Sequence, residues 1–98
     1  MDDHGIEGLI NEVGHLMVSW RQDIHRFPEI AFEEYRTSNL VGDVLTDLGL
    51  EVTREVAGTG VIGLLRGVAP GPTIAIRVDM DALAIHEETR LPFASRVP

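Results

Sequence analysis

The sequence predicts an α/β fold in which two N-terminal helices pack on a small mixed sheet, in the order α-α-β-β-β. Two observations give this prediction. Apolar residues recur at steps of three and four up to about residue 48, which is typical of helices, and beyond it they alternate or run continuously. Clusters that contain Gly or Pro, at 57–60 and 66–72, separate the later apolar runs, as turns between strands do.

The composition indicates an ordinary folded chain with an acidic surface. It has 98 residues, 44% of them hydrophobic, which is enough for one domain or part of one. Sixteen acidic residues against eight basic ones give a net charge of −8, so we expect no nucleic-acid and no membrane partner. The sequence lacks Cys, apolar runs of bilayer length and a signal-peptide pattern. We therefore expect a cytoplasmic protein.

The first helix is predicted from Ile6 to about His25. Its apolar residues lie on one face: Ile6, Leu9, Ile10, Val13, Leu16, Met17, Trp20 and Ile24. Pro28 ends the helix, because the residue before a proline is pushed out of the helical region. His25 would lie near the helix C-terminus, where a positive charge interacts favourably with the helix dipole.

The second helix is predicted from about Glu33 to Leu48. Glu33 and Glu34 would fall in its first turn, where acidic side chains are favoured. Gly49 follows at the position where a left-handed residue commonly ends a helix.

Three strands are predicted after the helices. Residues 50–56 alternate between apolar and polar and indicate a half-exposed strand, while 61–65 are more continuously apolar. The turn at 57–60 predicts a β-hairpin between them. A third strand begins at Thr73, and its run Ile74-Ala75-Ile76 is apolar on both faces.

Two carboxylates, Asp79 and Asp81, stand at the C-terminal end of this third strand. A spacing of two places both side chains on the same face of a strand, and ligands often bind at such strand ends. The alternative is that the two acids only cap a turn, which is the usual role of such a short motif. The residues themselves leave both interpretations open.

The third strand also bears on domain organisation. A strand that is apolar on both faces needs cover on both, and the rest of the chain offers cover for one face only. We therefore expect residues 1–98 to be the N-terminal, incomplete portion of a larger α/β domain. Self-association through an exposed sheet edge or apolar face is the alternative source of cover.

Several segments resemble the zinc-dependent amidohydrolases related to aminoacylase and carboxypeptidase. The resemblance is greatest to the branch of hippurate hydrolases and indole-acetyl-amino-acid hydrolases, and it extends from about Leu16 to Ser95. The segments that carry it are Trp20–Glu29, Glu33–Thr37, Gly58–Val61, Arg77–Leu83, Glu87–Glu88 and Leu91–Ser95. Ala84 departs from the family pattern, which has Pro there.

The resemblance implies a hydrolytic active site, of which the 98 residues would form only a part. Enzymes of this family hydrolyse the amide bond of N-acyl amino acids with water activated by zinc or manganese. Asp79 aligns with an orienting carboxylate outside the ligand set, and Asp81 would support the same loop. His86 is the histidine nearest these acids, and we expect it to be a loop residue. No metal ligand is assigned within this chain, because the family's principal ligands follow in segments beyond Pro98.

Two functions from different classes follow. In the first, the chain is the N-terminal part of a metal-dependent amidohydrolase acting on hippurate-like N-acyl amino acids, and the isolated 98 residues are inactive. The dimerisation domain of that family also lies beyond these residues. In the second, the chain is a complete, non-catalytic α/β module that forms a homo-oligomer.

Overall fold

The computed structural model describes residues 3–97, and the side chains from residue 5 onward. The predicted domain of residues 1–98 therefore has its end residues Met1, Asp2 and Pro98 outside the described range. The chain divides into two compact units, one formed by residues 1–28 and 85–98 and the other by residues 29–84. Their elements are α1 (Asp3–Arg26), α2 (Tyr35–Asp47), β1 (Glu51–Val56) and β2 (Gly60–Leu64). The α/β class is thus confirmed.

Helix α1 is the main element of the first unit. It ends at Arg26, directly before the Phe27-Pro28 pair that predicted its end. Its apolar stripe stays exposed, with each side chain accessible to between 40% and 55%: Ile6, Leu9, Ile10, Val13, Leu16 and Met17. Among residues 3–97, neither helix is both long enough and apolar enough to cross a membrane.

Strands β1 and β2 form an antiparallel hairpin in the second unit, as predicted. Glu51 pairs with Leu64 and Thr53 with Ile62, and the register shifts between Thr53 and Val56. Such a shift inserts an extra residue into one strand and increases the local twist. Gly58, in the turn, has a φ of 101°, which a glycine adopts without strain.

Helix α2 packs against both strands of this hairpin. At Gly63 on β2, an added Cβ atom would lie 2.9 Å from Leu45 Cδ1 of α2 and 3.0 Å from Leu50 Cδ2. Gly49 ends the helix with a φ of 90°, which confirms the predicted left-handed position. Its N–H donates to the carbonyl of Thr46 at 3.0 Å.

The predicted third strand is not formed, which corrects the α-α-β-β-β order to α-α-β-β. The segment that begins at Thr73 is irregular, and Ile74, Ile76 and Val78 are 88%, 88% and 77% exposed. Within residues 3–97 the sheet has two strands only. A strand is stable when a neighbour satisfies its N–H and C=O groups and covers its apolar side chains, and no neighbour here does so for this segment.

The same shortage of cover is seen across both units. Among the described residues, no hydrophobic residue is buried, whereas four polar ones are: Glu34, Thr37, Ser38 and Thr59. The core of each unit is therefore thin. Specific polar contacts hold its loops in place.

Candidate functional site

Asp79 and Asp81, the two predicted site residues, lie on the irregular segment of the second unit. Both are exposed, and Asp79 Oδ1 lies 3.1 Å from Arg77 Nη2. The two side chains of this ion pair are 68% and 88% exposed, so water screens it strongly. The structure brings Asp79 to Arg77, its neighbour in the motif, and gives Asp81 no side-chain partner among the described residues.

The described residues do not fit a metal ion. Side chains of the His, Cys, Asp and Glu types nowhere converge in groups of three or more within the described part of the chain. A zinc site needs three or four protein ligands at about 2.0–2.3 Å. The described residues therefore do not form a metal site by themselves.

One backbone hydrogen bond anchors the acidic segment. The N–H of Ala82 donates to the carbonyl oxygen of Glu29 at 2.8 Å. Met80 and Ala82 are half-buried, whereas Asp79 and Asp81 between and beside them are exposed. The segment is thus held by this backbone hydrogen bond and by the half-buried residues Met80 and Ala82, whereas the two carboxylates are exposed to water.

Glu29 is in turn held by the N-terminus of α2. Its Oε2 accepts the N–H of Arg36 at 2.9 Å, and its Oε1 accepts the N–H of Thr37 at 2.6 Å. These N–H groups belong to the first turn of α2, where a helix has no carbonyl partners of its own. Burial raises the pKa of Glu29, but the hydrogen bonds from Thr37 and Arg36 outweigh it, so the pKa lies below its ordinary value.

This arrangement corrects the role predicted for Glu33 and Glu34. The helix begins at Tyr35, two residues later than expected, and its first turn contains no acidic residue. The carboxylate at the helix N-terminus is supplied by Glu29 from the preceding loop. Glu33 and Glu34 were the expected candidates because acidic side chains are favoured in the first turn of a helix.

Glu34 instead forms a buried contact with the hairpin turn. Its Oε2 accepts the hydroxyl of Thr59, and its Oε1 accepts the N–H of Phe32 at 2.9 Å. Glu34 and Thr59 are each only 7% exposed. The hydroxyl of Thr59 is the main reason that the pKa of Glu34 lies below its ordinary value. The pair joins the loop before α2 to the turn between β1 and β2.

A second polar cluster lies in the first unit, around Glu87. His25 Nε2 is 2.9 Å from Glu87 Oε2, and the hydroxyl of Thr89 donates to the same oxygen. The N–H of Ser95 donates to Glu87 Oε1 at 2.6 Å. The ring of Phe93 lies edge-on to His25, with 5.6 Å between the ring centroids. His86, next to Glu87, is exposed.

Electrostatics in this cluster favour the ionised carboxylate. Hydrogen bonds from His25, Thr89 and Ser95 lower the pKa of Glu87 from its ordinary value of 4.5 to about 2. The sequence predicted that His25 would act through the helix dipole and missed Glu87 as its partner. The two are 62 residues apart in the chain, and local patterns carry no information about such a pair.

A shallow cavity of about 400 Å³ lies along α1 in the same unit. Its lining is mixed in polarity and includes His15, Ser19, Trp20, Gln22 and Arg26. Trp20, one of the residues on the predicted apolar face of α1, is half-buried there. The cavity is partly open to solvent.

Comparison with known proteins gives relatives for most of this chain. It is 44% identical over 96 residues to thermostable carboxypeptidase 1 of Saccharolobus solfataricus, which covers 94% of this chain and 24% of that protein. It is 40% identical over 99 residues to an N-acyl-L-amino acid amidohydrolase of Geobacillus stearothermophilus, which covers 100% of this chain and 26% of that protein. Other relatives are named as deacetylases of N-acetylcysteine and of N-acetyldiaminopimelate.

One relative has a name of another kind. A putative glutamate–cysteine ligase 2-3 of Rhodococcus jostii is 50% identical over 84 residues, which cover 84% of this chain but only 10% of that protein. So small a share of a long protein says little about the reaction that the long protein performs. The hydrolase names recur across independent relatives and over larger shares.

The chain spans about a quarter of the length of the carboxypeptidase and amidohydrolase relatives. No family model matches the chain, and no solved structure matches it either. On these relatives, the chain is homologous to the N-terminal part of proteins of the amidohydrolase, aminoacylase and carboxypeptidase family.

Proposed function

We propose that this chain is the N-terminal part of a metal-dependent amidohydrolase that acts in the cytoplasm on the amide bond of N-acyl amino acids, including hippurate-like ones. The observation that carries the proposal is the match over the whole chain to an N-acyl-L-amino acid amidohydrolase, at 40% identity. The carboxypeptidase relative points the same way, because both names describe hydrolysis of an amide bond next to a carboxylate-bearing residue.

In this proposal the described residues support the site and do not perform the chemistry. Zinc or manganese, and the base that works with it, would be held by residues outside 1–98, since the described part of the chain has no fitting ligand group. Asp79 would orient a group of the complete site, and Asp81 would support the loop. The exposure of both carboxylates is compatible with contacts to further parts of a larger domain.

The test begins with the intact mass of the native protein. A mass well above 10.8 kDa, together with hydrolysis of hippurate or N-acetyl amino acids, is the expected result. A larger protein that hydrolyses none of these substrates with either metal would overturn the proposal. A native mass of 10.8 kDa would also overturn it and would favour the second candidate below.

The isolated 98 residues are expected to be inactive on the same substrates, with or without added zinc or manganese. The matched variant is Asp79→Ala. A measurable rate in the 98-residue chain that disappears in this variant would contradict the assignment of the chemistry to residues outside it.

The second candidate is a non-catalytic module that forms a homo-oligomer. It is favoured by the exposure of Ile74, Ile76 and Val78, which are apolar and lack strand partners within the described residues. Light scattering at micromolar concentration tests it. A stable monomer counts against it, and a dimer that Ile76→Asp dissociates supports it.

A further inference from the structure

Glu29 connects two parts of the second unit through different atoms. Its carboxylate accepts N–H groups of Arg36 and Thr37 at the start of α2, and its carbonyl oxygen accepts the N–H of Ala82. The first contact spans 7 or 8 residues of sequence, and the second reaches the segment that carries Asp79 and Asp81. Glu29 therefore connects the segment that carries Asp79 and Asp81 to the start of α2.

The helix side of this connection is the firm one. A carboxylate that accepts two backbone N–H groups at a helix N-terminus gains charge-assisted hydrogen bonds and a favourable interaction with the helix dipole. The two oxygens of Glu29 each take one of these bonds, at 2.9 Å and 2.6 Å. The side chain is therefore held at both oxygens, and it restricts the backbone of residue 29 with it.

The segment side has little other support. Residues 67–84, all of which the structure describes, form one backbone hydrogen bond to a residue outside that segment. Its donor is the Ala82 N–H. The ion pair of Arg77 with Asp79 lies within the segment and cannot anchor it to anything else. The apolar residues of the segment are exposed and supply little packing.

We propose that Glu29 is a positioning residue, which fixes the place of the Asp79–Asp81 segment by holding it, through its carbonyl, to the N-terminus of α2. The relevance of this to catalysis rests on the proposed function. The connection itself is a property of the 98-residue chain and can be measured there.

The experiment is amide hydrogen exchange, followed by NMR, on the 98-residue chain and three variants. In Glu29→Ala the exchange of the Ala82 N–H is expected to be roughly fivefold faster, the factor that corresponds to loss of a typical N-cap interaction. Glu29→Gln keeps an acceptor oxygen without the charge and is expected to fall between Glu29→Ala and the parent. The matched control is Glu33→Gln, which changes an exposed carboxylate in the same loop and is expected to leave Ala82 unchanged.

Two further measurements separate positioning from general loss of structure. The chemical shifts of the residues in β1 and β2 must stay at their parent values in all variants that are compared. If Glu29→Ala does not fold, Ala82→Pro removes the donor from the other side. It is expected to change the chemical shifts of Asp79, three residues from the substitution, while the N–H groups of Arg36 and Thr37 stay protected.

The proposal is overturned if Ala82 exchanges at the parent rate in folded Glu29→Ala, or if Ala82→Pro leaves the chemical shifts of Asp79 unchanged. In the native protein, Glu29→Ala is expected to lower kcat about fivefold with little change in KM, since the loss of an N-cap interaction is about this size. Glu29→Gln is expected to lower kcat by less. If the native protein hydrolyses no N-acyl amino acid at all, the proposed function fails while the exchange result still decides the role of Glu29.

Discussion

His25 Nε2 lies 2.9 Å from Glu87 Oε2, and this contact ties the segment after residue 85 to the last turn of α1. Glu87 is the centre of the arrangement, because its two oxygens also accept the hydroxyl of Thr89 and the N–H of Ser95. A backbone bond from Arg96 to the carbonyl of Arg26, at 2.8 Å, reinforces the same junction. The unit formed by α1 and this segment therefore depends on one carboxylate being ionised.

The first prediction concerns acid. The pKa of Glu87 is lowered from 4.5 to about 2, so its ionised form stabilises the folded unit fully above pH 4.5. This stabilisation is lost as the pH falls from 4.5 towards 2. Thermal unfolding followed by the fluorescence of Trp20 should show a falling midpoint across this window. Glu87→Gln should flatten that part of the profile.

The control for the acid prediction is Glu88→Gln, which changes the neighbouring, exposed carboxylate and should keep the parent profile. A Glu87→Gln variant that shows the same acid dependence as the parent would contradict the role given to Glu87. His25→Gln is expected to weaken the effect without abolishing it, because Thr89 and Ser95 still donate to the carboxylate.

The second prediction concerns the buried contact between Thr59 and Glu34. Thr59→Val keeps the shape of the side chain but removes the hydroxyl that donates to Glu34 Oε2. A buried carboxylate oxygen then loses its partner, so the urea midpoint of the second unit should fall. The control Thr53→Val changes an exposed residue of β1 and should leave the midpoint close to the parent value.

A double-mutant cycle with Glu34→Gln measures the interaction free energy between Thr59 and Glu34, apart from the other effects of each substitution. The effects of Thr59→Val and Glu34→Gln are expected to be clearly non-additive, because each removes the same interaction. Strict additivity would show that the hydroxyl and the carboxylate do not stabilise each other.

The third prediction concerns Gly42, a buried residue inside α2. A Cβ atom there would overlap the guanidinium group of Arg54, which pairs with Asp43 at 2.8 Å. Arg54 is long and partly exposed, so it can move away at small cost. Gly42→Ala should then gain up to about 1 kcal/mol of helix propensity and lose an ion pair worth less than about 1 kcal/mol.

Urea unfolding of Gly42→Ala is therefore expected to give a free energy of unfolding equal to the parent's or higher by up to about 1 kcal/mol. Asp43→Asn, which removes the ion pair and keeps Gly42, is the comparison. A loss of more than about 1 kcal/mol in Gly42→Ala would mean that Arg54 cannot move as described.

The fourth prediction concerns Gly63 of β2, which lies against Leu45 of α2. Valine at this position would press its side chain against Leu45 and Leu50, since even a Cβ atom would lie 2.9 Å and 3.0 Å from them. Gly63→Val should lower the free energy of unfolding by about 1–3 kcal/mol, the usual cost of overpacking. Ile62→Val, at the exposed neighbouring position, should change it by less than about 0.5 kcal/mol.

The local elements were predictable because their causes lie close together in the chain. The Phe27-Pro28 pair marks the end of α1, Gly49 marks the end of α2, and the turn around Gly58 marks the hairpin. Each depends on the backbone preference of one or two residues. The resemblance to amidohydrolases was also visible in the sequence, and relatives with those names match it.

The polar contacts were not predictable, because the fold determines which side chains come within hydrogen-bonding distance of each other. Glu29 caps α2 where Glu33 and Glu34 were expected, Glu34 pairs with Thr59 across 25 residues, and His25 pairs with Glu87. Many acids in this sequence are equally suited to such roles. Only the approach of the loops shows which ones are used.

The sequence by itself determined two helices, one hairpin and a segment that is apolar on both faces. The tertiary structure decided that this segment forms no strand, since the described residues supply it with neither a hydrogen-bonding neighbour nor a covered face. The physical reason is a difference of range. A turn or a helix end is stabilised within a few residues, whereas a strand is stabilised by whatever lies beside it.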